Sequence, residues 1–423
     1  MSMKVLFICH RVPYPPTAGS KIRAFNIIRH LSEQGHSVTV ASLARSSEEA
    51  RAAAGLSAHC ERALIEVIPD RVAWLRTAAW LASPRPMSFG YFYSRRLARR
   101  TAEELDTGSY DLVFVHCSSM GDYVRDAHGA VTVLDYCDMD SQKWREYSAY
   151  RAFPLSTAYW LEAVRLEHAE RRLGARYDLC TCATAAELAT LRELGITTSS
   201  DWFANGVDAT QFTPAPDYDP ELIAFVGRMD YYPNQQAVLM FCRDVLPRLR
   251  LRRSGLRFAI VGAEPSAEVR DLARLPGVSV TGWVPDVRPH VARAALTVAP
   301  LTIARGTQNK ILESMAMGVP VVCSPVAARG VDAVRGEHLL TGADTAGYVA
   351  AIERVLDSPA LRARLSQAAR DRVLSHHSWS HCLARLDELI GAALERRRGT
   401  GPRTRIAQAA GVAAGTNAAR PHH

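Results

Sequence analysis

The sequence predicts an α/β protein of two doubly wound parallel units. Three observations carry that expectation. Near-continuous apolar runs such as Val5-Leu6-Phe7-Ile8-Cys9 recur, as strands covered on both faces require. They alternate with segments of helical period, the order that parallel sheets and crossover helices produce. A strand followed by a glycine and then a helix occurs twice, at Gly19 and at Gly227-Arg228. The turn Asn205-Gly206-Val207-Asp208 and the proline-containing link from Phe212 to Pro220 divide residues 1–208 from 209–376.

The composition fits such a protein. Of 423 residues, 48% are hydrophobic and 22% charged, ordinary for a soluble globular chain. The nine cysteines are scattered and no CxxC pair occurs, which favours a reducing compartment over a disulfide framework or structural zinc. The opening apolar run is too short for a signal peptide, and no run of about 18 apolar residues predicts a membrane span. Net charge is +8, and residues 1–100 hold 15 Lys/Arg against 6 Asp/Glu, an excess of nine. A basic N-terminal part implies an anionic partner. Neither zinc-finger spacing nor an RNP-like aromatic motif supports nucleic acid; anionic lipid and an ordinary arginine-rich surface both stay open.

The first unit reads in order. Val5 to Cys9 is a strand, and the prolines of the loop to Ser20 hold it extended before Gly19. Ser20 is expected to cap a helix whose apolar stripe is Ile22, Phe25, Ile28 and Leu31. Val38 to Leu43 and Leu64 to Ile68 are further strands. Residues 72–81 place Trp74, Leu75, Trp80 and Leu81 among arginines, a helix suited either to a membrane surface or to core packing. His116 ends the strand that begins at Asp111, at the edge where open parallel sheets bind ligands, although a structural histidine fits too. The strand from Val131 leads into Asp135, Asp138 and Asp140, three acids in six residues placed for a metal or a hydroxyl-rich substrate, with Lys143 following; Asp140 serves equally as an N-cap. Residues 155–173 form a long helix.

The second unit begins with the strand Leu222–Val226 and a helix over 234–249, with later strands near 258, 278, 296 and 319. Gly282 to Asp286 lies at a strand end, offering backbone groups to a base. The stretch 305–324 reads as loop, helix, stop and strand, with Thr307 as N-cap and Gly318 and Pro320 ending the helix. Asn309 and Glu313 share one helical face. The helix N-terminus beside Lys310 suits a phosphate or diphosphate, and Glu313 one turn on suits sugar hydroxyls. Two helices occupy 345–375, a last one starts at Trp379, and the tail over 397–423 is expected to be disordered.

Taken in order, the Gly19 loop, Asn205-Gly206-Val207-Asp208, Gly227-Arg228 and the Glu313 helix closing on Gly318-Val319-Pro320-Val321-Val322 resemble the retaining glycosyltransferases of family 4, of GT-B fold. The strings Met229 to Asn234, Ala304 to Lys310 and Asp138 to Trp144 resemble the sugar transferases associated with PEP-CTERM/exosortase exopolysaccharide clusters. The resemblance implies two Rossmann-like domains facing a cleft, with residues 377–396 crossing back onto the first. It implies that Gly19, Gly227 and Arg228 meet a donor diphosphate, that Glu313 holds the ribose and that Asp286 faces the base. His116 would meet the donor sugar; Arg228, Lys310 and His116 form the expected catalytic set. Arg305, Gly306, Asn309 and Lys310 line the donor side, and Asp138, Asp140 and Lys143 the acceptor side. The chain departs from the family pattern twice. Arg305 stands where the first glutamate of the E-x7-E motif belongs, and Asn234 where a lysine is usual. Lys310 and Arg305 are then expected to supply the missing positive charge.

The implied reaction is sugar transfer from a nucleotide-sugar to a glycan or polyprenyl-diphosphate-linked acceptor, without metal or other cofactor. The implied place is cytoplasmic, with a peripheral seat on the inner membrane. Two other readings stay open at this point: a non-catalytic nucleotide-sugar-binding regulator, and a GT-B nucleotide-sugar epimerase.

Overall fold

Chain order and strand order part company at one place in each sheet, and those two places fix where ligands can reach the backbone. The computed structural model describes residues 2–17, 19–80 and 83–399, apart from the side chains of residues 20, 78 and 79. The first sheet contains β1 (Lys4–Cys9), β2 (Ser37–Ala44), β3 (Arg62–Val67), β4 (Leu112–His116), β5 (Val131–Cys137), β6 (Leu179–Cys182) and β7 (Ser200–Trp202). Its spatial order is β3-β2-β1-β4-β5-β6-β7. The second contains β8 (Asp219–Val226), β9 (Arg257–Val261), β10 (Val278–Val280), β11 (Ala294–Ala299), β12 (Val321–Cys323) and β13 (Leu340–Thr341), ordered β10-β9-β8-β11-β12-β13. Every strand pairing is parallel.

In the first sheet the chain winds one way from β1 and the other way from β4. In the second it does so from β8 and from β11. Loops leaving adjacent strands on opposite faces open a crevice at their carboxyl ends. The loops after β1 and β4 lead to Gly19 and out of His116. The loops after β8 and β11 carry Gly227-Arg228 and residues 300–308.

The principal helices of the first unit are α1 (Gly19–Glu33), α2 (Asp70–Ala79), α3 (Met87–Tyr91), α4 (Arg95–Thr107), α5 (Asp140–Ala149), α6 (Leu155–Gly174) and α7 (Ala185–Glu193). In the second they are α8 (Tyr232–Met240), α9 (Asn309–Ala316), α10 (Thr345–Asp357) and α11 (Pro359–His376), followed by α12 (Trp379–Gly399). Helix α12 returns to the first unit. It buries Trp379, Leu383, Leu386, Ile390 and Ala393 in one cluster with Val5, Phe7, Phe114 and Val133. Where it starts, the Val207 amide donates to the His377 carbonyl at 2.8 Å.

Several local expectations shift. Helix α1 begins at Gly19, so Ser20 lies inside its first turn. The basic stretch 95–100 opens α4, because Ser94 Oγ accepts the Leu97 amide and caps it. The helix expected over 234–249 starts at Tyr232 and is broken by a π turn over Phe241–Val245. Thr307 does not cap α9; Gln308 holds that position and makes no side-chain cap bond. The last helix runs on to Gly399, three residues past the expected end. Leu81 and the tail over 400–423 lie outside the described residues.

Leu386 is fully buried where α12 meets the first sheet. Leu386→Ala should lower unfolding free energy by about 2–5 kcal/mol in a denaturant titration, as core truncations do. A loss below about 0.5 kcal/mol would mean that α12 is not anchored there.

Candidate active site

The second sheet contributes a close-packed cationic corner. Gly227 follows β8, and a Cβ built on it would stand 2.6 Å from Asn234 Nδ2 and 3.0 Å from Lys310 Nζ. Only a residue without a side chain lets α8 and α9 close on this backbone. Lys310 Nζ donates to Asn234 Oδ1 at 2.6 Å and lies 4.4 Å over the Phe225 ring. Asn234 Nδ2 in turn donates to the Arg228 carbonyl at 2.8 Å. The ammonium of Lys310 therefore occupies the place next to position 234 where the family's lysine is expected. Lys310 and Glu313 sit one turn apart on α9, recessed in the cleft. Burial, opposed by Glu313, pulls Lys310 down to about 7. Burial, opposed by Lys310, pushes Glu313 up to about 7.

The N-terminus of α9 faces the first unit. A Cβ on Gly19 would lie 3.6 Å from Asn309 Nδ2. The first amides of a helix lack intrahelical partners, so this end offers donors to an anion. Beside it the Thr307 hydroxyl is buried without a hydrogen-bond partner. Gly19, Gly227, Asn309, Lys310 and Glu313 thus share one cleft.

Three donor-side residues stand differently. Arg228 is half exposed, and its guanidinium pairs with Asp230 at 2.7 Å and Glu264 at 2.5 Å. It is at the rim, already paired. Asp286 is held by Arg288, Nε to Oδ1 at 2.9 Å, and does not join the Lys310 corner. Arg305 crosses the cleft: Nε donates to Glu146 Oε1 at 2.7 Å and Nη1 to Glu187 Oε1 at 3.2 Å. Arg305 is expected to serve as a diphosphate cation; here two carboxylates of the first unit hold its guanidinium, so meeting a diphosphate would require exchanging them. Next to it Gly306 has φ +61°, and a Cβ there would overlap the Asp138 carboxylate. The loop before α9 and the loop after β5 therefore touch.

On the first-unit side, a buried polar chain runs through the crevice. His116 Nδ1 lies 3.0 Å from Asp135 Oδ2. Asp135 is bridged twice by Arg23, Nε to Oδ2 and Nη2 to Oδ1, each at 2.9 Å. Thr181 Oγ1 donates to the same carboxylate at 2.9 Å. Arg23 Nη1 donates to Asn205 Oδ1 at 2.9 Å, and Asn205 Nδ2 to Asn309 Oδ1 at 3.3 Å. His116 is thereby linked to the head of α9. Burial would raise Asp135, but Arg23 and His116 hold it far below the ordinary carboxylate range. Burial alone would lower His116; Cys137 and Asp135 reverse that and raise it.

The sequence reading gives Arg23 no role, takes Asp135 only as one of three acids near a strand end and Asn205 only as part of the linker turn, and does not join the three. An arginine beside the apolar stripe of α1 and an acid near the end of an apolar strand were the available signals. His10 escaped too: its ring stacks on His116 at 5.9 Å, and its Nδ1 is buried without a partner. Among the described residues, His10, His116 and Cys117, and likewise His116, Asp135 and Cys137, lie close enough to share a metal ion. These groups come from three strand ends, so local spacing does not reveal them.

Asp138, Asp140 and Lys143 gather at the mouth of the same cleft. Burial, then Glu187, pushes Asp138 up to about 7. Burial also raises Asp140. Burial works against the charge of Lys143, but Asp140, Tyr231 and Asp138 raise it. Asp140 is the first residue of α5, and the cap position is Met139, so it is no N-cap. Across the mouth, the Tyr147 and Tyr232 rings meet at 6.5 Å.

Comparison with known proteins accords with this architecture. Residues 17–211 match the family described as Glycosyltransferase Family 4, and residues 220–358 the one described as Glycosyl transferases group 1. Over 215 residues the chain is 29% identical to the glycogen synthase of Mycobacterium tuberculosis, spanning 48% of this chain and 51% of that one. Over 203 residues it is 30% identical to the D-inositol 3-phosphate glycosyltransferase of Frankia alni, spanning 43% and 50%. The chain spans about half the length of these curated relatives. Its fold is similar to that of sucrose-phosphate synthase from Thermosynechococcus elongatus, with a TM-score of 0.70 at 15% identity over 93% of this chain and 100% of that one. It is also similar to HepE of Anabaena in complex with UDP, with a TM-score of 0.66 at 14% identity over 92% and 100%. The chain thus carries a family 4 glycosyltransferase domain followed by a group 1 glycosyl transferase domain, set in the GT-B fold.

Proposed function

We propose that the protein transfers a sugar, with retention, from a nucleoside diphosphate donor to a glycan or polyprenyl-diphosphate-linked acceptor in exopolysaccharide assembly. The observation that carries this reading is the corner where Lys310 meets Asn234 and Gly227 beside the head of α9, with Gly19 opposite. HepE is described in complex with UDP and with UDP-glucose, which makes UDP-sugars the first donors to try. The PEP-CTERM-like strings around Asp138, Asn234 and Lys310 support the exopolysaccharide setting.

The chemistry follows from charge. As the bond from the sugar C1 to the diphosphate breaks, its electron pair stays on the phosphate oxygen. Lys310 and the amides heading α9 lie where that charge forms, and such preorganised donors are worth most in a water-poor cleft. Arg228 joins only by exchanging Asp230 and Glu264 for the phosphate. The acceptor hydroxyl attacks C1 from the face that the diphosphate leaves, and passes its proton to the departing phosphate oxygen. His116, fixed by Asp135, contacts the donor sugar. Asp138, Asp140 and Lys143 orient the acceptor. The proposed step sets these cations against the leaving group and calls on no metal. Closure of the two domains keeps water from the reacting carbon.

A thermal-shift screen of UDP-, GDP- and ADP-sugars identifies the donor. With that donor, Lys310→Ala should lower turnover by roughly ten- to a thousand-fold, as loss of one charge-stabilising donor does. Glu313→Ala should weaken nucleotide binding in calorimetry. Near-normal turnover in the first and unchanged affinity in the second would overturn the proposal.

The pH profile is a second check. Lys310 carries its charge below about 7, and Glu313 carries its charge above about 7. Since kcat/KM reports the free enzyme, it should form a narrow bell centred near neutrality, with limbs belonging to the coupled pair. Lys310→Arg should remove the alkaline fall, and Glu313→Gln the acid one. A profile that keeps both limbs in both variants would show that other groups titrate.

A further inference from the structure

A second cationic site lies on the first unit, away from the Lys310 corner. A cavity of about 600 Å³ opens between α2, the turn leading to α3, and the start of α4. Arg76, Arg85 and Arg95 line it with Trp80, Tyr93 and Ser83. Among the described residues no carboxylate lines it. Arg85 lies 5.5 Å over the Trp80 ring, and Arg76 Nη1 donates to the Tyr93 carbonyl at 2.8 Å. Two of the three guanidinium groups are therefore held in place rather than dispersed in water. Arginine forks in fixed positions suit phosphate oxygens, and the size is that of a small-ligand pocket.

The helices of this region also expose apolar side chains. On α2, Trp74 and Leu75 are 64% and 73% exposed. On α6, Trp160 and Leu161 are 52% and 41% exposed. The two helices are joined through α3: the Trp74 ring meets the Tyr91 ring at 5.4 Å, and the Met87 and Ser88 amides donate to the Glu162 carboxylate of α6 at 2.8 and 2.9 Å. Arg96 and Arg99 are exposed on α4, Arg96 within 3.5 Å of the Glu66 carboxylate. Large exposed rings and aliphatic chains among arginines match a membrane interface, where rings enter the headgroup layer and cations meet phosphate. A soluble phosphate would have no use for the exposed apolar side chains of α2 and α6.

We propose that this pocket seats the phosphate or diphosphate headgroup of a lipid, so that the α2–α3–α6 face lies on an anionic membrane. The pocket is joined to the reacting crevice: Tyr93 follows Phe92, whose ring meets His10 edge-on at 5.1 Å, and His10 stacks on His116. That the lipid presents the sugar acceptor rests on the proposed sugar transfer. Binding itself does not, and the experiment measures binding without donor.

The full chain is sedimented with phosphatidylcholine vesicles, with or without about 30 mol% phosphatidylglycerol. The wild type should pellet only with the anionic vesicles and be released by about 0.5 M NaCl. The triple variant Arg76→Gln, Arg85→Gln, Arg95→Gln should lower the partition by about tenfold or more. The double variant Trp74→Ser, Leu75→Ser should lower it too, which keeps the test decisive if the triple variant folds poorly in a thermal melt. Arg243→Gln, Arg270→Gln, Arg274→Gln removes the same charge from the second unit and should change nothing. Equal loss in both triple variants, or equal binding to neutral vesicles, would overturn the proposal. So would inorganic pyrophosphate binding that depends on the three arginines without any vesicle binding, which would mark a soluble anion. Vesicle binding without sugar transfer would leave this inference standing and remove the functional one.

Discussion

The structure turns on one buried ion pair. Arg23 is 2% exposed and Asp135 is fully buried, and each has been taken out of water at a cost of several kcal/mol. Such a pair persists only where every lone pair and N–H finds a partner. Here Asp135 accepts from Arg23, His116 and Thr181, and Arg23 also reaches Asn205 and the Phe203 carbonyl while its plane lies 3.6 Å from the Phe203 ring. The net gain in stability from this pair is small by general experience. What it fixes is geometry. One side orients His116 at the end of β4; the other leads through Asn205 to the head of α9 in the other domain. The linker turn that the family resemblance singled out is therefore a joint in a hydrogen-bond chain that crosses the cleft.

The two departures from the family pattern become one rearrangement of charge. Asn234 gives up a cation, and Lys310 brings one back to it from α9. Arg305 puts a cation where a carboxylate is usual, and Glu146 and Glu187 of the first domain answer it. Because Arg305 is bound to the first domain, opening the cleft means breaking two ion pairs.

Much of this was legible in the sequence because it is local. Apolar runs gave the strands, since a parallel strand covered on both faces has no polar side to confuse the reading. Gly227-Arg228 and the Asn309–Glu313 face could be placed on a strand end and a helix start. What escaped was long-range. Lys310 and Asn234 are 76 residues apart, and Arg23 and Asp135 are 112 apart. No period or spacing reports such pairs. The cap assignments failed for a related reason. Gln308 turns its amide to the Arg305 carbonyl at 3.0 Å, and the Thr307 hydroxyl stays unpaired, so tertiary shape set the start of α9. The π turn at Phe241–Val245 is likewise invisible to a pattern of apolar residues.

The central claim is a location: the departing diphosphate belongs at the head of α9, between Lys310 and the Gly19 loop. A crystal structure with UDP bound tests it most directly. Diphosphate oxygens within hydrogen-bond distance of Lys310 Nζ and the first amides of α9, with the ribose against Glu313, are the expected result. A nucleotide seated elsewhere, with Lys310 still held only by Asn234, would contradict the account.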